Sequence, residues 1–339
     1  MIILGIETSC DDTSAAIMDS EAGILSNIIA NQNSVHTKYG GVVPELAGRC
    51  HIDNINEIIN EALQQAKISL NNIDLLAVTQ GPGLVGSLLV GLNTAKGLAF
   101  ALDNPLIGVN HLEGHLLAIF LQKTVPFPFL ALVVSGGHTD LYVVKNFGNY
   151  KILGRTLDDA AGESFDKVAK MLELGYPGGP QIEKISMTGN STAINFPRPL
   201  LNKNLFNFSF SGLKTSVRSH LEKRASGKIE KHSIGDIAAS FQEAVTDVLV
   251  YKTILAAKSN NLDRIVVTGG VAANTNLRQK MEETGSKNGF STHFPKPILC
   301  TDNAAMIALA GFKKYQRNPE AGRSYFDLDA KANFPLDNY

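Results

Sequence analysis

The chain has 339 residues, 44% hydrophobic and 19% charged, with a formal net charge of −1. Such a length exceeds one compact core and implies two lobes, while the near-neutral balance excludes a globally basic nucleic-acid binder. Three widely spaced cysteines, Cys10, Cys50 and Cys300, read as reduced thiols and not as a disulfide framework.

Residues 2–6 read as a buried strand. They are not expected to be a signal peptide, because no basic segment precedes the apolar run and Glu7, Asp11 and Asp12 follow it. Glu7 to Ser14 is a polar turn and residues 15–18 return as a second strand. The tip of that hairpin can hold a phosphate and its cation, or it is a plain turn rich in Asp, Ser and Thr. Residues 36–50 read as a loop, and 52–67 as an amphipathic helix with Ile55, Ile58, Ile59 and Leu63 on one side.

A third strand, buried, at 75–79 runs into Gln80-Gly81-Pro82-Gly83-Leu84-Val85-Gly86-Ser87 and then a helix of small residues. Such a loop can bind an anion or allow close backbone packing, and it matches no complete nucleotide fingerprint. The helix at 87–102 carries Asn93 and Lys96, which argues against a membrane span.

His111-Leu112-Glu113-Gly114-His115 follows a short strand at 105–110, with Asn110 near the helix N-cap. Two histidines four apart lie about one turn from each other on one helix face, where their imidazoles can share a metal ion. Surface or capping histidines are the plainer reading of the pair alone.

The pattern then restarts. Residues 129–134 and 141–144 form a second hairpin around Ser135-Gly136-Gly137-His138-Thr139-Asp140, and 264–268 lead into Gly269-Gly270-Val271-Ala272-Ala273-Asn274. Hairpin, helices, strand, Gly-rich loop and helix thus occur twice. The fold expected is α/β: two lobed, of the actin-like and sugar-kinase type, with a duplicated lobe. Residues 1–128, completed by a helix at 303–323, would form the N-terminal lobe, 129–302 the C-terminal lobe, and 324–339 a short polar tail. Between the hairpin and the last strand, Asp158 to Lys167 opens a helix and Tyr176-Pro177-Gly178-Gly179-Pro180 is a rigid turn. Residues 202–231 hold seven Lys or Arg against Glu222 and Glu230, either a phosphate-backbone footprint or a solvated face. Near the end, Thr301 or Asp302 reads as an N-cap or, for Asp302, as a third metal ligand.

Read together, seven motifs resemble the TsaD family in order: Gly5-Ile6-Glu7-Thr8-Ser9-Cys10-Asp11, Gly41-Val42-Val43-Pro44-Glu45-Leu46-Ala47, His111-Leu112-Glu113-Gly114-His115, Val134-Ser135-Gly136-Gly137-His138-Thr139, Tyr176-Pro177-Gly178-Gly179-Pro180, Phe210-Ser211-Gly212-Leu213-Lys214 and Gly269-Gly270-Val271-Ala272-Ala273-Asn274. The resemblance runs from the first strand to about Gly311. It implies a cytoplasmic bacterial tRNA N6-adenosine threonylcarbamoyltransferase, a family once described as glycoproteases. The reaction would move threonylcarbamoyl from threonylcarbamoyl-adenylate to N6 of adenosine 37 in tRNAs reading codons that start with A.

By the same resemblance, His111, His115 and Asp302 would hold one divalent metal, Fe(2+) first and Zn(2+) second. Val133, Val134, Ser135, Gly136 and Gly137 would meet the phosphate end of the adenylate. Asp166, Gly179, Glu183 and Asn274 would hold its nucleoside. A TsaB-like paralogue and a TsaE-like ATPase are the implied partners, with no membrane. Asp12 stands where many members have Glu, and Glu183 where many have Asp. No general base is evident; His138 is a candidate, and a structural turn histidine is the alternative. A zincin protease is disfavoured, because its Glu directly follows the first His, whereas Glu113 is two positions on. A phosphotransferase and a scaffold with a vestigial site are the other readings.

Overall fold

The computed structural model describes residues 1–201, 206–229 and 232–336. Two compact units divide these residues: 1–125 with 146–149 and 301–336, and 126–145 with 150–300.

The first unit is built on a five-stranded sheet. Strands β1 (Ile2–Glu7), β2 (Asp12–Asp19), β3 (Gly23–Asn31), β4 (Leu75–Gly81) and β5 (Leu106–Asn110) lie in the order β3-β2-β1-β4-β5. Neighbours β1 and β2 run antiparallel, whereas β1 with β4 and β4 with β5 run parallel. Side chains alternate along the strands. Leu4, Ile6, Leu76 and Val78 therefore meet the helices Pro44–Ala66 and Val85–Leu102 on one face. Ile3, Leu75, Ala77 and Ile107 meet the helix Ala304–Arg317 on the other.

In the second unit β6 (Phe129–Val134), β7 (Thr139–Asn146), β8 (Asn149–Arg155), β9 (Arg264–Thr268) and β10 (Ser291–His293) lie in the order β10-β9-β6-β7-β8. Taken by position within each unit, this is the order of the first sheet. The hairpin is antiparallel and the later pairs are parallel here too. The duplication and the actin-like architecture expected from the sequence are both present. Leu130, Leu132 and Val134 pack with the 26-residue helix Ile234–Ser259.

Several local expectations change. The hairpin of the first unit is a three-strand meander, since β3 follows it. The helix expected at 52–67 begins at Pro44, which occupies its first turn, so most of the 36–50 loop is helical. That start follows from chemistry: proline tolerates the N-terminal turn because it has no N–H to leave unpaired. The Tyr176–Pro180 turn runs directly into a helix, Gly178–Ser186. Neither Thr301 nor Asp302 caps the final helix. Asn303 does, its Oδ1 accepting from Met306 N at 3.1 Å.

The Gln80–Ser87 loop serves backbone packing. Leu84 N donates to Ser9 O at 2.8 Å and Gly83 N to Ala332 O at 3.3 Å. The segment after Arg323 lies along the first unit: Tyr325, Leu328 and Ala330 pack on its core, and Lys331 N donates to Gln80 O at 2.8 Å. The apolar helix Val85–Leu102 buries Leu88, Gly91, Leu92, Ala95 and Ala99 in that core.

Helix Ala304–Arg317 sits so close to the sheet that a Cβ on Gly5 would lie 2.2 Å from the Ala304 carbonyl oxygen. Gly5→Val is therefore expected to destabilise the protein by about 1–3 kcal/mol through overpacking. Thermal unfolding of the purified variant measures it.

Candidate functional site

The candidate metal centre belongs to the first unit. Strand β5 ends at Asn110, whose Oδ1 accepts from Leu112 N at 2.9 Å and starts the helix His111–Leu117. That cap turns His111 and His115 the same way, with ring centroids 4.7 Å apart. Asp302 arrives from the segment before the final helix. Its Oδ1 lies 3.1 Å from His115 Nε2 and 3.5 Å from His111 Nε2. One donor atom from each of the three residues lies within 4.8 Å of the others. Two imidazole nitrogens and one carboxylate oxygen suit a single divalent ion, with further positions left for water or substrate.

The structure adds a residue that the motif reading left without a role. Glu7, at the end of β1, is wholly buried, and its Oε2 lies 2.9 Å from His111 Nδ1. Burial works to raise the Glu7 carboxyl, but the charge and hydrogen bond of His111 outweigh it and hold it below its ordinary value. For His111 burial opposes the charged form, and Glu7 and Asp302 overcome that effect, pushing the imidazole up to about 9. Asp12 is pushed up to about 8 by burial and by the neighbouring carboxylates Asp302, Asp11 and Glu7. Glu7 lies within the first family motif, but nothing in the sequence assigns it this role, because two of its three partners lie far away at positions 79 and 111.

Glu113 takes no part in the cluster. Its carboxylate is buried and lies 3.9 Å from Arg317 Nη2, so it is not poised as the water-activating base of a zincin.

The second unit carries the remaining candidates. Val133 and Val134 are fully buried strand residues, so their side chains carry the loop after β6 and are not offered to a ligand. Ser135 N donates to His138 O at 2.8 Å, and His138 N donates to Ser135 Oγ at 3.2 Å. His138 thereby closes the turn, while Gly136 and Gly137 are exposed with open space where side chains would stand. Gly162 N donates to Ser135 O at 3.2 Å, which sets the start of the helix Ala161–Met171 beside this loop. Gly269 closes the same region from β9: its φ is +92°, and a Cβ there would lie 2.4 Å from Val134 O. Only glycine fits both conditions.

Three of the four expected nucleoside contacts are held by backbone N–H groups. Asp166 Oδ1 accepts from Gly178 N at 2.7 Å, beside Gly179. Glu183 Oε1 accepts from Thr275 N at 2.7 Å. Asn274 caps the helix Thr275–Lys287 through Leu277 N at 3.0 Å, and its Nδ2 donates to Gln242 Oε1 at 2.8 Å. Gln242 lies on the long helix Ile234–Ser259, outside the seven motifs.

The basic run at 202–231 is less available than its charge suggested. Lys214 Nζ is paired with Asp159 at 2.7 Å, and Arg218 with Glu222 at 3.0 Å. Lys203, Glu230 and Lys231 lie outside the described residues.

Comparison with known proteins agrees with this geometry. A family model described as "TsaD: tRNA N6-adenosine threonylcarbamoyltransferase" matches residues 23–309. A relative of that name from Geotalea uraniireducens (strain Rf4) is 54% identical over 338 residues, covering 100% of this chain and 97% of its own. Another of that name, from Thermodesulfovibrio yellowstonii, is 53% identical, covering 99% of this chain and 100% of its own. Among solved structures, HypF from T. kodakarensis superposes with a TM-score of 0.64 at 14% identity, covering 93% of this chain and 48% of that one. The activator of the 2-hydroxyisocaproyl-CoA dehydratase from Clostridium difficile gives 0.55 at 16% identity, covering 94% and 97%. These two show the fold alone.

Asp302→Ala is expected to abolish metal retention, and Glu113→Gln to leave it intact, as read by plasma mass spectrometry. Acid should release the metal. In the metal-free protein His111 is protonated below about 9, so binding must displace a proton, and affinity should fall about tenfold per pH unit below that value. Metal titrations at stepped pH measure the slope.

Proposed function

The chain belongs to the TsaD family and is a tRNA N6-adenosine threonylcarbamoyltransferase; from that premise we propose how it carries out the transfer. The donor is threonylcarbamoyl-adenylate, and the acceptor is N6 of adenosine 37 in tRNAs that read codons starting with A. The amine attacks the carbamoyl carbonyl carbon and its C–N bond forms. The bond from that carbon to the phosphate oxygen breaks, AMP leaves with the electron pair, and N6 loses one proton. Adenine N6 is a poor nucleophile because its lone pair is delocalised into the ring, whereas AMP is a good leaving group. Positioning and charge stabilisation are therefore what the site has to supply.

The observation that carries the reading is the His111, His115 and Asp302 cluster in a chain of this family. These residues hold one divalent metal, Fe(2+) on the family resemblance, with Zn(2+) using the same donors. When bound, such an ion supplies Lewis-acid polarisation of the acyl or phosphoryl oxygen. In the second unit the exposed peptide groups of Gly136 and Gly137 receive the phosphate, because no side chain obstructs their approach. The start of the helix Ala161–Met171 beside them favours negative charge. Asp166, Gly179, Glu183 and Asn274 orient the nucleoside, and the backbone bonds that hold three of them fix their direction in advance. A TsaB-like paralogue and a TsaE-like ATPase are the proposed partners. A tRNA substrate and the free thiols of Cys10, Cys50 and Cys300 support a cytoplasmic location.

The test is modification of unmodified tRNA with threonylcarbamoyl-adenylate, followed by nucleoside mass spectrometry. Threonylcarbamoyladenosine is expected with the wild type and none with Asp302→Ala. Asn274→Ala and Asp166→Ala should weaken binding of the adenylate while metal content stays normal. Calorimetry with unchanged affinity in both variants refutes the nucleoside assignment.

A further inference from the structure

We infer that Glu7 is a positioning residue of the metal centre: it fixes His111 in the Nδ1–H tautomer and leaves Nε2 as the ligand atom. The inference rests on the metal reading of His111, His115 and Asp302 and adds to it the group that prepares one ligand.

Three donors surround the Glu7 carboxylate. Ser9 N donates to Oε1 at 2.5 Å. Thr79 Oγ1 donates to Oε2 at 2.6 Å, from the strand parallel to β1. His111 Nδ1 lies 2.9 Å from the same Oε2. An ionised carboxylate only accepts, so the proton of a neutral His111 sits on Nδ1. The lone pair is then on Nε2, the atom 3.5 Å from Asp302 Oδ1. Ser9 Oγ, 3.2 Å from Nδ1, adds a second contact on the same side. Glu7 is fully buried, so water does not compete for these bonds.

The second histidine lacks this support. Among the described residues, no hydrogen-bond partner meets the buried Nδ1 of His115. The tautomer of the centre is thus set through His111. A carboxylate behind a ligating imidazole is a recurrent way to orient a metal site and raise ligand basicity.

Glutamine cannot replace this group, although its shape is the same. If its oxygen faces Ser9 N–H, its NH2 faces the Thr79 hydroxyl and His111 Nδ1. That drives His111 to the Nε2–H form, which cannot ligate. If the amide flips, NH2 meets the Ser9 N–H, donor against donor. Both orientations lose what the carboxylate provides.

The experiment uses full-length protein stripped of metal by a chelator and titrated with Co(II) against a chromophoric competitor. Circular dichroism and thermal melting monitor the fold. Wild type should bind one Co(II) with a d–d spectrum. Glu7→Gln should bind about 10–100-fold more weakly. Thr79→Val, which removes one donor and keeps the carboxylate, should show a smaller loss that Thr79→Ser restores. A folded Glu7→Gln with wild-type affinity overturns the inference, even if it melts earlier. If Glu7→Gln does not fold, wild-type affinity in Thr79→Val overturns it instead. Wild type that binds no Co(II) overturns the metal reading itself, and the inference with it.

Discussion

A carboxylate sealed from water must be met by donors on every side, and Glu7 is met from three places in the chain. Ser9 follows it directly, Thr79 comes from the parallel strand β4, and His111 from the helix after β5. Removing one partner from such a buried pair costs about 3–5 kcal/mol, because the remaining charge is left uncompensated. The register of β1 against β4 and the start of the His111 helix are thus tied to one ionised group. A one-residue slip of β1 would turn Glu7 to the other face of the sheet and leave both it and His111 unsatisfied. The fold of the first unit and, on the inference drawn above, the preparation of its candidate metal ligands rest on the same interaction.

The second unit works through the backbone. Its candidate substrate residues sit on the loop after β6, at the N-cap of the helix Thr275–Lys287 after β9, and on the helices Ala161–Met171 and Gly178–Ser186. Side chains such as Asp166, Glu183 and Asn274 bond to main-chain N–H groups of neighbouring segments. Asp158 does the same at Phe210 N and Ser211 N, at 2.8 and 3.2 Å, which sets the Ser211–Ala225 helix in place. Asp159 gathers Lys167 and Lys214. A polar residue in these motifs is therefore a brace as much as a contact. Glycine at 269 then lets β9's loop press against β6. The result is a rigid rim of peptide groups, suited to an anion whose shape is fixed.

This division of labour suits the chemistry. The proposed donor, an activated carbamoyl group with AMP as leaving group, asks for orientation, and a centre that tolerates no misplacement is best built on strand ends and helix starts. It also argues against the zincin reading of the two histidines. In a zincin the glutamate next to the first histidine activates water, whereas Glu113 stands in the other direction, toward Arg317.

The sequence by itself determined what is local. The His111 and His115 pair, the Asn110 cap, the two hairpins and the two strand, Gly-rich loop and helix units depend on neighbouring residues, and the repeated order of these elements disclosed the duplicated fold. The motifs also pointed to Asp302, but only through the family they resemble. Tertiary structure decided the rest. Asp302 reaches His115 across 187 positions, and Glu7 reaches His111 across 104; spacing along the chain carries no record of either. Asn303 took the cap because its side chain, not that of Thr301 or Asp302, meets Met306 N. Strands β3 and β8 lie beyond the hairpins and are only partly buried, so their sequences lack the solid apolar run that marks a central strand. The long helix Ile234–Ser259 buries most of its circumference, which weakens the one-sided pattern that reveals surface helices. Periodicity records which face is buried; only the folded chain settles which distant donor meets a buried charge.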